Sequence, residues 1–87
     1  MLVTICGKRW RLRFQWMKKF AGHCDGPDVP NKQIIISTGM SEQKELDTII
    51  HEAFHAADFN RREEHVNEFA TDLARILWRL GWRKTKE

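Results

Sequence analysis

The sequence predicts an α+β fold: a small three-stranded sheet packed against two helices. Three observations carry this. The segment Arg9–Phe14 alternates basic and apolar residues with period two. The β-branched run "QIIIS" follows a loop rich in Gly, Pro, Asp and Asn. Two later stretches repeat apolar residues at spacings of three and four. At 87 residues the chain reads as one domain spanning 1–87, with 41% apolar residues, enough for one modest core. The charged fraction of 31% excludes wholesale disorder.

The elements follow in order. "LVTICGKRWRLRFQ" reads as two strands around a turn at Gly7-Lys8, with Trp10, Leu12 and Phe14 on one face and Arg9, Arg11 and Arg13 on the other. "MKKFAGHCDGPDVPNK" reads as a loop. Gln33–Ser37 is the third strand. Ser41 is the expected N-cap of a helix from about Glu42 to Asp58, with Leu46, Ile49, Ile50, Ala53, Phe54 and Ala57 on its apolar face. "FNRRE" breaks it. The last helix runs from about Glu63 to Leu80, with its apolar stripe centred near Phe69, Leu73 and Leu80, and Gly81 as its stop signal.

The net charge of +3 is unevenly placed. Lys8, Arg9, Arg11, Arg13, Lys18 and Lys19 make the start basic, and Arg75, Arg79, Arg83, Lys84 and Lys86 the end, around an acidic middle. An acidic middle suits a cation, and basic ends beside Trp10, Trp16, Trp78 and Trp82 suit a nucleic-acid backbone. Two cysteines, Cys6 and Cys24, are too few for a disulfide scaffold and read as free thiols. With no signal-peptide pattern and no apolar run near the ~20 residues of a membrane span, the expected setting is cytoplasmic, without a membrane partner.

The chemistry concentrates in "DTIIHEAFHAADF". His51 and His55 lie four apart, so on a helix their imidazoles reach one point. Neutral imidazole is the common zinc ligand. Glu52, about 100° further round, is placed to take a proton from a metal-bound water. This is H-E-x-x-H, the pattern of a zinc peptidase. A third ligand is then needed from Asp58, Glu63, Glu64, His65, Glu68 or Asp72. From the expected stripe of the last helix, His65 fits best. Glu68 or Glu64 comes next, and Asp58 and Asp72 remain, Asp72 also as a residue that orients another ligand.

At this point the chain resembles a family. "HEAFH" followed by "HVNEF" looks like the minimal zincin core of the SprT-like metallopeptidases. "EEHVNEFATDLA" is similar to the ImmA/IrrE-type peptidases, where an acid precedes an Asn-x-Phe-Ala run, here Asn67 to Ala70. Aligned on that run, His65 takes the acid's place. "GKRWRLRF" and "ILWRLGWR" also resemble short phage-type metallopeptidases, which implies a phage-encoded chain acting in a host cell. The resemblance implies one Zn2+, held by His51, His55 and His65, and hydrolysis of a protein or peptide substrate with Glu52 as general base. It also implies an open sheet edge, Ile34, Ile35 and Ile36, along which substrate pairs. With no Tyr in the chain, His23, Asn60, Arg61 and Arg62 are the candidates to stabilise the oxyanion. The alternative is a binding or regulatory module, contacting nucleic acid or a partner protein, in which zinc holds the fold without catalysis.

Overall fold

A computed structural model describes residues 1–85; Lys86 of the basic tail lies outside them. The elements are β1 (Leu2–Ile5), β2 (Lys8–Phe14), β3 (Gly22–Cys24), β4 (Gln33–Ile36), α1 (Glu42–Ala57) and α2 (Glu63–Arg79). The fold is α+β, with four strands rather than three, in the order β1-β2-β4-β3. The added strand, β3, lies inside the expected loop and pairs antiparallel with β4, Gly22 opposite Ile36 and Cys24 opposite Ile34.

β1 and β2 form a hairpin whose turn is Cys6-Gly7, one residue earlier than expected. Both residues have positive φ, 50° and 80°, the geometry that matches strand twist in a two-residue hairpin. β2 and β4 run parallel, Leu12 opposite Ile34 and Phe14 opposite Ile36. Trp10, Ile34, Ile36 and Ala56 form the buried core, with Val3, Ile5, Leu12, Cys24, Met40 and Ile49 packed around it. Trp10 is 1% exposed, and its indole Nε1 donates to the Asp25 carbonyl at 3.1 Å.

β4 lies between β2 and β3, so Ile34, Ile35 and Ile36 are not an open edge. This corrects the expected substrate strand: β3 occupies that edge, and the Ser37 N–H extends the pairing by donating to the Ala21 carbonyl at 2.7 Å. The free edge on this side of the sheet belongs to β3.

α1 begins where the sequence indicates. The Ser41 hydroxyl accepts from the Lys44 N–H at 3.3 Å, satisfying one of the helix's unpaired donors. Its most buried residues, Thr48, Glu52 and Ala56, are four apart and form one line.

α2 departs from expectation in layer and rotation. It packs on α1, and α1 in turn packs on the strands, so the order is sheet, α1, α2. Its buried residues are Val66, Ala70 and Ala74, not the larger Phe69 and Leu80, which are exposed. Small side chains let two helix backbones approach closely, and that wins over burying the larger ones. α2 ends on Gly81, φ +94°, with Gly81 N–H donating to the Trp78 carbonyl and Trp82 N–H to the Leu77 carbonyl. This is the Schellman arrangement, and its left-handed residue favours glycine. Gly81→Ala is therefore expected to cost about 1 kcal/mol of stability, read as a lower denaturant midpoint.

Candidate metal centre

One turn of α1 separates His51 from His55, and their Nε2 atoms lie 3.1 Å apart. The loop after α1 brings Glu63, the first residue of α2, over both rings. Its Oε1 is 2.9 Å from His51 Nε2 and its Oε2 is 2.9 Å from His55 Nε2. Two nitrogens and two oxygens therefore converge on one point. Two Nε2–H groups, one donating to each carboxylate oxygen, give this arrangement in the absence of an ion. A shared cation satisfies all four atoms. Two donors each ~2.0–2.1 Å from a tetrahedral zinc stand about 3.3 Å apart, close to the separation here. The donor set, two imidazoles and a carboxylate, is one that catalytic zinc takes with a further position left open.

Glu52 adjoins this cluster; its carboxylate and the two ring nitrogens lie within 4.8 Å of one another. It is 7% exposed. Burial pushes its carboxyl above the ordinary value, His51 and His55 pull it down, and Glu63 adds to the rise. β3 presses on it from the sheet. A Cβ built on Gly22 would stand 2.8 Å from both Glu52 Oε2 and Thr48 Cγ2. Only glycine lets the strand pass this close to the carboxylate. Nothing in the sequence pattern marks that position, because three residues give no period.

The same closeness acts on Cys24. Burial, then Glu52 and Asp25, push its thiol up to about 12, while Cys6 is exposed. Neither cysteine is in a disulfide, as the cysteine count suggests. Under iodoacetamide at neutral pH, Cys6 is expected to label readily and Cys24 only on unfolding, since the thiolate is the nucleophile. Peptide mapping of the alkylated protein checks this; equal labelling of both in the folded chain would contradict it.

Two clefts, of about 290 and 300 Å3, flank the cluster. Both are lined by Gly22, His51, Glu52 and Glu63. The first extends past Asn67 and Thr71, where the Thr71 hydroxyl donates to Asp47 Oδ2 at 3.0 Å and ties α2 to α1. The second extends past His23 and Cys24 to Phe59.

His65, the expected third ligand, lies elsewhere. Its side chain meets the Phe54 ring at 5.9 Å and lines a separate depression with Arg61, Arg62, Glu64 and Glu68. The cause is the rotation of α2. With Val66, Ala70 and Ala74 facing α1, Glu63 falls within about 20° of the contact direction at 100° per residue, and His65 well outside it. Asp72 pairs with Arg75 at 3.3 Å on the surface, and Asp58 with Arg61 at 2.8 Å; neither Asp72 nor Glu68 lines the clefts beside the rings.

Of the four candidate oxyanion donors, His23 lines the cleft, its Nε2 held 2.8 Å from Asp25 Oδ1. Arg61 and Arg62 are paired with Asp58 and Glu64. The basic ends are partly engaged within the chain. Arg83 stacks on Trp78 at 3.3 Å and donates to the Trp78 and Trp82 carbonyls; Lys84 pairs with Glu45. No helix among the described residues is long and apolar enough to cross a membrane. Comparisons with protein-family models, with curated proteins and with solved structures found no match to this chain.

Proposed function

We infer that the chain is a zinc-dependent peptide hydrolase of the H-E-x-x-H type, built on a minimal zincin core like that of the SprT-like and ImmA/IrrE-type peptidases. His51, His55 and Glu63 would hold one ion, and Glu52 is the general base. The observation that carries this reading is the convergence of the two Nε2 atoms and both Glu63 oxygens beside a buried carboxylate. Glu63 gives the ligand set an acid, two residues before the place that the Asn-x-Phe-Ala run suggests.

Zinc, when bound, supplies a Lewis acid and lowers the pKa of its water toward ~7. The chain's own residues do the rest. Glu52, with its proton affinity raised by burial, takes the proton from the attacking water and carries it to the leaving amine. Gly22 of β3 lies directly against its carboxylate. The outer edge of β3 borders the clefts and offers backbone groups to an extended peptide. His23, held by Asp25 on the wall of the second cleft, is the candidate donor to the oxyanion.

The test is cleavage of an unfolded protein by the zinc-loaded chain. Cleavage is expected, to stop on chelation and return with zinc. Cleavage that survives chelation, or no cleavage by a chain that holds its zinc, rejects the reading. The second of these favours a purely structural ion.

A further inference from the structure

α2 and its C-cap leave several large apolar residues exposed, Phe69 among them although one side of its ring meets Phe54 at 5.2 Å. Val66, Ala70 and Ala74 face α1 at 0%, 0% and 2% exposure, whereas Phe69, Ile76 and Leu80 are 46%, 55% and 71% exposed. By helix geometry these three share a line with half-buried Leu73, about 90° round from the α1 contact. The spacings of four, three and four are those of a two-helix seam. A continuous row of large apolar side chains of this kind marks a contact surface.

The charges beside the row indicate what covers it. On the flank away from α1, Glu68 and Asp72 lie in the N-terminal half and Arg75 and Arg79 in the C-terminal half. Asp72 and Arg75 form an exposed pair at 3.3 Å, which holds neither residue strongly. This pattern is complementary to itself when reversed. Two copies of α2 running antiparallel set the acidic half of each against the basic half of the other. Two copies running parallel would set this flank against the opposite flank of the other copy, Asp72 near Leu77, and lose that pairing.

We propose that a second copy of this chain docks on this face, α2 against α2 and antiparallel, about a two-fold axis. Phe69 then meets the partner's Leu80, and Leu73 the partner's Ile76. Asp72 faces the partner's Arg79, twice over by symmetry. The His51–His55–Glu63 cluster sits on the α1-facing side of α2, so pairing leaves the clefts open. The proposal does not depend on the hydrolase reading.

Sedimentation velocity over a concentration series tests it. The wild-type chain is expected to form a dimer, and Ile76→Glu a monomer with an unchanged circular-dichroism spectrum, since Ile76 is over half exposed. Asp72→Arg or Arg79→Asp alone should weaken the dimer by placing like charges across the seam. The two together should restore it. A wild-type chain that stays monomeric throughout overturns the proposal. So does a dimer untouched by Ile76→Glu, which would place the contact at a sheet edge, or a folded double charge-swap that does not regain the dimer.

Discussion

Glu63→Ala is expected to weaken zinc binding by more than about 100-fold, beyond what loss of a supporting residue usually costs. Competition with a chromogenic chelator measures this. His65→Ala should leave affinity near wild type. The contrast is sharp because the two residues are neighbours in sequence yet diverge in space: Glu63 bridges both imidazoles at 2.9 Å, and His65 packs on Phe54. His51→Ala and His55→Ala should match Glu63→Ala. A large loss at His65 with none at Glu63 would return the third ligand to His65 and require α2 to be rotated.

Glu52→Gln is expected to slow cleavage by about 10²–10⁴-fold, the usual contribution of a positioned general base, with zinc stoichiometry unchanged. Gln keeps the shape that lies against Gly22 and removes the proton acceptor. A second effect follows in the chelated protein. Burial raises the Glu52 pKa above 4.5, so the folded chain holds this proton more tightly than the unfolded chain. The associated stability is present below the unfolded pKa and is lost as pH rises through the folded one. Chelated Glu52→Gln should lack this decline and be more stable than chelated wild type at neutral pH. Thermal unfolding of both at acidic and neutral pH reads it. A Gln variant that cleaves normally would remove Glu52 from the chemistry.

Much of this was legible in sequence because the signals were long or chemically specific. α1 starts at its Ser41 cap, and α2 spans nearly the expected residues, because apolar spacing and capping act locally. His51, Glu52 and His55 come together because helical spacing alone places them. What depends on tertiary contact was not legible. β3 is three residues long and exists by pairing with β4 and lying against Glu52. The rotation of α2 differs from the one its large apolar residues predict, because Val66, Ala70 and Ala74 make the close contact. Those small residues, four apart, were the available signal. A stripe centred on Ala70 places Glu63 and Asn67 nearer the α1 contact line than His65, which meets α1 only at its flank, on Phe54.

The most direct test of the central claim is X-ray absorption at the zinc edge on the chain loaded with one equivalent of zinc. One ion held by two imidazole nitrogens and the Glu63 carboxylate is expected, with an exchangeable water in the remaining position. A chain that takes up no ion, or an ion enclosed by four protein ligands, would contradict it.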